Sequence, residues 1–263
     1  MVWPFGSRRK QPLTPQVGAP GDIVVLVDNV VDPRLVVYHD PNGYQSEQYR
    51  GFRTNLRAMN PKDEPRTLLF TSAQPREGKS ISVANIALAL AENEHLRVCL
   101  VDADMRAGSM HRLFGVNATP GLADVMLDRV SPHSALQNSR LPGLTLISAG
   151  RPVDNPGEVL SSDHMNELIA WLKRSHDYVL FDSPPCLPFA DSAQLSRFID
   201  GVVLVIAIDE TSKRDAERAI EALGAARANV IGTFVTGALP LDRPAGDAAA
   251  DEAALEDGIP TGA

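Results

Sequence analysis

Six short apolar segments, separated by helical patterns, place the strongest constraint on how this chain can fold. The segments span residues 67–73, 97–103, 144–150, 178–184, 201–207 and 230–237. Their near-continuous apolar character is typical of parallel strands that are buried on both faces. Helical patterns occupy residues 80–95, 164–176 and 212–228. This alternation predicts an α/β, three-layer fold in which helices cover both faces of a mostly parallel central sheet.

The two ends of the chain differ in composition from the alternating part. Residues 1–20 combine Pro, Gly and basic residues, which predicts a disordered basic arm. Residues 240–263 are rich in Ala, Gly, Pro and acidic residues and contain no aromatic residue, which predicts a disordered acidic tail. The predicted folded domain therefore spans residues 21–239.

Charge and hydropathy narrow the class of function. The net charge of −8 argues against a nucleic-acid-binding surface, which normally needs a basic face. The longest apolar run, at residues 201–208, is too short to span a bilayer, and the first residues lack the apolar core of a signal peptide. The two cysteines, Cys99 and Cys186, are predicted to be reduced thiols in or near the core. These features predict a cytoplasmic protein.

The segment TSAQPREGKS, at residues 71–80, follows a predicted strand and precedes a predicted helix. Backbone N–H groups of such a loop, together with the helix N-terminus, form an anion site. Gly78 leaves room for a phosphate, Lys79 brings a positive charge, and the Ser80 hydroxyl is a ligand for Mg²⁺. The usual first glycine of a phosphate loop is replaced by Ala73, so a chance occurrence of Gly-Lys-Ser is the alternative.

Three aspartates follow predicted strands and support the interpretation of residues 71–80 as a phosphate-binding loop. Asp102 and Asp104 are two residues apart, so both point to the same side if the extended geometry continues. Carboxylates beside a phosphate loop can orient the waters of Mg²⁺ and accept a proton from an attacking hydroxyl. Asp182 has the position of an acid that holds the metal through water. Each acid alone would be an ordinary acidic turn, but together they predict a nucleotide site.

The sequence therefore yields three overlapping sets of candidate residues. The catalytic candidates are Lys79, Asp102, Asp104 and Asp182, and the Mg²⁺ candidates are Ser80, Asp102 and Asp182. The nucleotide-binding candidates are Gln74, Pro75, Arg76, Glu77, Gly78, Lys79, Ser80, Ile81 and Arg106. Which of Asp102 and Asp104 would act as the base stays open at this point.

The combination of motifs resembles the bacterial tyrosine kinase (BY-kinase) family and its polysaccharide-export ATPase relatives. These proteins belong to the deviant Walker P-loop NTPases, as do the Min and Par positioning proteins. The resemblance covers about residues 38–238, through the segments 46–56, 72–80, 100–106, 120–126, 148–162 and 181–195. Alanine is usual in this family at the position of Ala73, so the resemblance implies a P-loop fold that binds ATP and Mg²⁺. Asp191 has the place of a recurrent aspartate of the family.

Glu47, Arg50 and Arg53 have the spacing that puts three side chains on one face of a helix, predicted at about residues 45–58. They could form a surface ion pair that contributes little. In the resembled family this motif packs one subunit against the next, which implies a homo-oligomer and a ring if the rotation closes. The resemblance also implies activation by the cytosolic segment of a membrane polysaccharide co-polymerase, or chain-length regulator. That partner would keep the protein at the inner face of the membrane.

Arg76 and Thr236 depart from the pattern of the resembled family or of its relatives, whereas Gln74 distinguishes the chain from the positioning ATPases. Arg76 stands where glycine is usual. If the backbone needs a positive φ at this position, the arginine is strained. Otherwise its side chain either faces solvent or reaches a phosphate or the acids of a neighbouring subunit. Gln74 replaces the lysine of the positioning ATPases, which favours the kinase-like branch. Thr236 lies near the place where related ATPases have an asparagine that reads the base.

The tyrosines bear on kinase activity. The chain has four, Tyr38, Tyr44, Tyr49 and Tyr178, and none lies in residues 240–263. A tail without a phenol offers no phosphate acceptor, so tail autophosphorylation is not expected. The resemblance implies an Mg-ATP-hydrolysing, protein-tyrosine-kinase-like subunit that regulates exopolysaccharide or capsule polymerisation and export. The alternatives are a nucleotide-dependent assembly switch without significant kinase activity, and a Min- or Par-type positioning ATPase.

Overall fold

The computed structural model describes residues 31–208 and 210–237, and within them seven strands form one sheet. The strands are β1 (Arg66–Ser72), β2 (Val98–Asp102), β3 (Gln137–Asn138), β4 (Leu144–Ile147), β5 (Tyr178–Asp182), β6 (Gly201–Ala207) and β7 (Val230–Thr236). Their spatial order is β3-β4-β2-β5-β1-β6-β7, and every pair is parallel except β3 with β4. The predicted mostly parallel sheet is confirmed. The edge strand β3 was not predicted, because two polar residues carry no hydrophobic pattern.

Ten α-helices surround this sheet in the described part of the chain. They are α1 (Val36–His39), α2 (Tyr44–Ala58), α3 (Lys79–Ala91), α4 (Met110–Phe114), α5 (Leu122–Met126), α6 (Pro132–Ala135), α7 (Pro156–Leu160), α8 (Asp163–Ser175), α9 (Asp191–Leu195) and α10 (Lys213–Ala225). The four long helices α2, α3, α8 and α10 were predicted within a few residues. The short ones were not, since a single turn is too short to show helical periodicity.

Two apolar cores lie on opposite faces of the sheet. Along β1, Leu68 and Phe70 enter one core, while Leu69 between them enters the other. The first core contains nearly all of α3, whose apolar residues are buried on every side. The second contains the apolar faces of α8 and α10. Strand alternation with two buried faces therefore produces the predicted three layers.

Some predictions concern residues outside this description. The arm at residues 1–20 and the tail at residues 240–263 lie outside the described residues, and the boundaries 21 and 239 of the folded domain stay predictions. Among the helices that the structure describes, none is both long enough and apolar enough to cross a bilayer.

A charged clamp holds α2 against α3. Arg50 donates to both carboxylate oxygens of Glu92, at 2.8 and 2.6 Å, and Arg53 donates to Glu92 at 2.9 Å and to the Ala89 carbonyl at 2.6 Å. Burial opposes the charge of Glu92, but the two arginines outweigh burial and lower the pKa of its carboxyl group. Since Glu92 ends α3, the clamp ties the end of the phosphate-loop helix to α2.

The clamp predicts a difference between two glutamates that share Arg50. The side chain of Glu92 is 24% exposed, whereas that of Glu47 is 61% exposed. We expect Glu92→Gln to lower the free energy of unfolding by about 1–2 kcal/mol, because it weakens charge-assisted bonds that are partly buried. The control Glu47→Gln should change it by about 0.5 kcal/mol or less. Denaturant unfolding measures both, and equal effects would contradict the clamp.

Candidate active site

The loop between β1 and α3 lies at the carboxyl end of the central strands. Its last residue, Gly78, has φ 81° and immediately precedes Lys79, the first residue of α3. A positive φ is a conformation that glycine adopts without strain, which explains why glycine stands here. The first N–H groups of α3 have no carbonyl partner one turn back within the helix. The loop therefore directs the positive end of a helix toward the site.

Lys79 is the centre of the charged cluster. Its ammonium lies 3.2 Å from the Asp104 carboxylate, 3.2 Å from the Ser80 hydroxyl and 3.7 Å from the Asp182 carboxylate. Burial alone would lower the pKa of this amine, but Asp182 and Asp104 outweigh burial and raise it. Lys79 is therefore held as a cation at the start of α3.

Asp182 is the least satisfied carboxylate of the cluster. It is fully buried at the end of β5, and neither of its oxygens accepts a hydrogen bond of ordinary geometry from a described residue. Burial raises the pKa of its carboxyl group, although the charge of Lys79 and the nearby Ser80 hydroxyl oppose this. Orphaned oxygens of this kind require a water or an ion, because an unpaired buried polar group is costly.

The oxygen atoms of Asp182 and Ser80 fit a hydrated Mg²⁺. This ion prefers oxygen ligands, keeps several waters and usually binds through one or two carboxylates together with substrate phosphates. No group of three His, Cys, Asp or Glu side chains in residues 31–208 and 210–237 is arranged to hold a metal without such help. A Mg²⁺ site completed by waters and phosphate agrees with the unpartnered oxygens of Asp182 and with the lack of a third protein ligand among the described residues.

The carboxylates of Asp102 and Asp104 both lie near Lys79, but they have different hydrogen-bond partners. Asp102 accepts bonds from the N–H groups of Ser109, at 2.8 Å, and Met110, at 3.0 Å, and so fixes the start of α4. Burial, followed by the Asp182 charge, raises the pKa of Asp102 to about 7. Asp104 instead contacts Lys79 and accepts from the Ala107 N–H at 3.0 Å.

Arg106 lies at the site but has a protein partner. Its guanidinium donates two hydrogen bonds to Asp191, at 2.7 and 3.0 Å, and lies 4.4 Å above the centre of the Phe189 ring. The pair connects the loop after β2 to the first residue of α9. In the structure, this predicted nucleotide-binding residue therefore joins two site loops. Asp191, which the sequence singled out, is its partner.

The other predicted loop residues fall into two groups. Pro75 and Arg76 are exposed, and the guanidinium of Arg76 makes no hydrogen bond or ion pair with a described residue. Arg76 has φ 72°, so the loop does need a positive φ at this position. Gln74 and Ile81 are half-buried, whereas Glu77 is buried. Arg76 is thus both strained and exposed.

The predicted subunit-contact residues form bonds within the chain. Arg50 bonds to Glu47 and Glu92, and Arg53 bonds to Glu92, so most of this network belongs to the clamp between α2 and α3. Glu47 is the most exposed of the three predicted residues. Glu92 could not be predicted from the sequence, because its partners lie about forty positions away along the chain.

Lys79 lies in the first turn of α3, and carboxylates that follow or end β2 and β5 lie around it. This arrangement defines the class of protein as a P-loop NTPase. A family model, ParA, described as "NUBPL iron-transfer P-loop NTPase", matches residues 66–235. The chain is also 36% identical over 203 residues to the tyrosine-protein kinase YwqD of Bacillus subtilis (strain 168), covering 77% of this chain and 85% of that one. The chain belongs to the bacterial tyrosine kinase family of ParA-type P-loop NTPases.

Two further similarities agree with this assignment. The putative tyrosine-protein kinase CapB of Staphylococcus aureus is 29% identical over 209 residues, covering 80% of this chain and 91% of that one. The kinase domain of the Escherichia coli tyrosine kinase ETK superposes with a TM-score of 0.73 at 26% identity, covering 80% of this chain and 82% of that one. A septum site-determining protein, MinD of Pyrococcus horikoshii, and a plasmid partition protein of Borrelia burgdorferi share the fold at 22% and 16% identity, which indicates a common fold alone.

Proposed function

We propose that this protein binds Mg-ATP and catalyses transfer of the terminal phosphoryl group, to water or to a protein hydroxyl. The observation that carries the proposal is Asp182, whose two buried oxygens lack partners while Lys79 and Ser80 stand beside it. This arrangement at the N-terminus of α3 offers donors for phosphate and oxygens for a hydrated cation in one place.

Each residue has a proposed task. Lys79 binds the terminal phosphates, and within the predicted loop from Gln74 to Ile81 the backbone N–H groups of residues 76–81 surround the phosphate chain. Ser80 and Asp182 would hold Mg²⁺, which neutralises phosphate charge when bound. Asp102 and Asp104 are the candidates to orient the nucleophile and accept its proton. Asp102 could also serve the metal, as its sequence position predicts.

We also propose the role that the family resemblance implies. The protein would be a cytoplasmic subunit of an exopolysaccharide or capsule system, associated with the inner face of the membrane through a polysaccharide co-polymerase. Most of the tyrosines are poorly accessible as phosphate acceptors. Tyr44 is 55% exposed, whereas Tyr38 and Tyr49 are half-buried and Tyr178 is buried. This pattern favours ATP hydrolysis or phosphorylation of another protein over autophosphorylation.

An assay with labelled ATP tests the proposal. The purified full chain is incubated with Mg-ATP labelled at the terminal phosphate, with and without the cytosolic segment of the partner. Phosphate release and protein labelling are followed separately, and mass spectrometry locates any phosphotyrosine. We expect phosphate release that increases with the partner segment and no stoichiometric labelling of Tyr38, Tyr44 or Tyr49. ATP binding without turnover would support the assembly switch instead, and binding of DNA would support a positioning ATPase.

Arg76 offers a prediction with a matched control. Arg227, which follows α10, is also exposed and has φ 59°, but lies outside the phosphate loop. We expect Arg76→Gly and Arg227→Gly each to raise the free energy of unfolding by about 1 kcal/mol, because glycine tolerates a positive φ. Arg76→Gly alone should weaken ATP binding, by about tenfold, if its free guanidinium reaches a phosphate. Unchanged affinity would leave Arg76 as a solvent-facing residue.

We propose finally that the protein self-associates through the exposed side of α2. Charge reversal at Arg50 or Arg53 would disturb the clamp to Glu92, so it tests folding together with assembly. Glu47 is the better site for the test, since its side chain is 61% exposed. Glu47→Lys should reduce the particle size measured by light scattering in the presence of ATP, while the unfolding midpoint changes little. Assembly at wild-type size would contradict the proposed contact.

A further inference from the structure

Glu77, inside the phosphate loop, is buried and makes two bonds that the proposed chemistry does not use. Its side chain is directed into the protein, and the residue is 2% exposed. One carboxylate oxygen accepts the Gln74 N–H at 3.0 Å, and the other accepts the Thr211 hydroxyl at 2.6 Å. Glu77 forms no ion pair within the residues that the structure describes. A buried carboxylate with these two partners crosslinks its own loop to a segment 134 positions away.

Thr211 is itself fixed to the end of β6. Its hydroxyl accepts the Ala207 N–H at 3.0 Å, and its own N–H donates to the Ala207 carbonyl at 2.9 Å. The threonine therefore closes the turn between β6 and α10 and, with the same hydroxyl, binds Glu77. A shift of this turn would be transmitted to the phosphate loop through a single oxygen atom.

A second threonine supports the same part of the loop. The Thr236 hydroxyl, at the end of β7, lies 3.2 Å from the Glu77 carbonyl oxygen, to which it donates. Its methyl carbon lies 3.6 Å from the position that a Cβ of Gly78 would occupy. In the sheet, β6 and β7 lie on one side of β1, whereas the strands that carry Asp102 and Asp182 lie on the other. The loop is thus held from the side opposite the charged cluster.

These contacts bear on binding because a phosphate loop works through the direction of its backbone N–H groups. A loop that must first be ordered loses binding free energy to the entropy of ordering, and contacts that fix it beforehand reduce this loss. The bond from Glu77 to the Gln74 N–H fixes the loop internally. The bond to Thr211 fixes it to the sheet.

We propose that Glu77 is a positioning residue which, through Thr211, holds the phosphate loop in its nucleotide-binding shape and couples it to the turn after β6. This inference rests on the proposed function, since it concerns how the same loop is prepared for nucleotide. The buried side chain of Glu77, bonded to Thr211, acts on the nucleotide only through the loop that it holds. Because coupling is reciprocal, nucleotide binding also stabilises the turn that contains Thr211.

The test compares two substitutions of Thr211 in the full-length protein. Thr211→Val keeps the shape and removes the hydroxyl, whereas Thr211→Ser keeps the hydroxyl. Thr145→Val on β4 is the matched control, because Thr145 is also half-buried and its hydroxyl bonds to the Val98 carbonyl, away from the loop. The readouts are hydrogen exchange of the Gln74 amide without nucleotide, the Kd for Mg-ATP, and the KM and kcat of phosphate release.

We expect Thr211→Val to speed exchange at the Gln74 amide and to weaken Mg-ATP binding, each by about tenfold, which is typical for loss of a bond to a charged group. KM should increase by a similar factor, while kcat stays within about twofold, because a fixed loop mainly favours binding. Thr211→Ser should restore both readouts to within about twofold of wild type, and Thr145→Val should leave both unchanged. If Thr211→Val does not fold, Glu77→Gln, which can keep only one acceptor oxygen, should show the same pattern.

The outcomes separate this proposal from the proposed function. Wild-type exchange at Gln74 together with wild-type affinity in Thr211→Val would overturn the positioning role. If the wild-type protein binds no ATP, the proposed function fails, and the exchange measurement without nucleotide still decides: faster exchange in Thr211→Val supports the link, and unchanged exchange overturns it. A kcat that falls in Thr211→Val while KM and exchange stay constant would also contradict it, since this would assign the Thr211 hydroxyl to the chemical step.

Discussion

Replacing Lys79 with methionine should reduce Mg-ATP turnover by about 10²–10³-fold, the usual result of removing a buried charge that stabilises a transition state. The side chain of Lys79 is 11% exposed and lies between the carboxylates of Asp104 and Asp182. Methionine fills a similar volume but leaves these acids facing the phosphates without a cation. Like charges would then repel, so nucleotide affinity should also fall strongly.

Lys173→Met is the matched control for this variant. Lys173 is also a partly buried lysine in an ion pair, 2.9 Å from Asp200, but it lies on α8. Its replacement should cost some stability and leave both turnover and ATP affinity near wild type. Phosphate release and equilibrium binding of ATP measure the two variants side by side. A Lys79→Met protein with wild-type turnover would refute the site.

The second large effect is expected at Asp182, where function and stability should change in opposite directions. Asp182→Asn should reduce Mg-dependent turnover by about 10²-fold or more, because it removes a charge that the Mg²⁺ site needs. Without nucleotide the same variant should melt at a higher temperature. Burial raises the pKa of Asp182, so its ionised form opposes folding at neutral pH.

Asp200→Asn is a control in which stability should change with the opposite sign. Burial opposes the charge of Asp200, but the Thr67 N–H and hydroxyl and Lys173 outweigh burial and lower its pKa. A depressed carboxyl pKa stabilises the fold above the unfolded-state pKa, so this variant should melt at a lower temperature at neutral pH while turnover stays near wild type. Thermal unfolding and phosphate release distinguish the two aspartates. An Asp182→Asn protein that is both active and less stable would contradict the proposed role of Asp182 at the Mg²⁺ site.

Much of the architecture could be predicted from the sequence because the signals are local. Strands such as β5 and β6 are continuous apolar runs, and α2, α3, α8 and α10 are long enough to show their periodicity. The strand β3 and the short helices give no such signal. Their positions depend on loops that pack against the sheet after it has formed.

The site could be predicted only in part, for a related reason. Gly78-Lys79-Ser80 and the aspartates at strand ends follow from motif and strand order, and the structure brings Lys79, Asp104 and Asp182 within contact distance. Partnerships between distant segments could not be foreseen. Asp191 bonds to Arg106 across 85 positions, and Thr211 bonds to Glu77 across 134. Such pairs depend on tertiary packing, which leaves no mark on the residues near either partner.

The phosphate loop, with Ala73 and Arg76 in place of glycines, should form a working Mg-ATP site. Calorimetric titration of the nucleotide-free protein with ATP, once with Mg²⁺ and once with a chelator, tests it most directly. We expect saturable binding of one ATP per chain with Mg²⁺, and clearly weaker binding when the chelator removes the ion that Ser80 and Asp182 would hold. Failure to bind ATP with Mg²⁺, or an affinity that the chelator leaves unchanged, would contradict it.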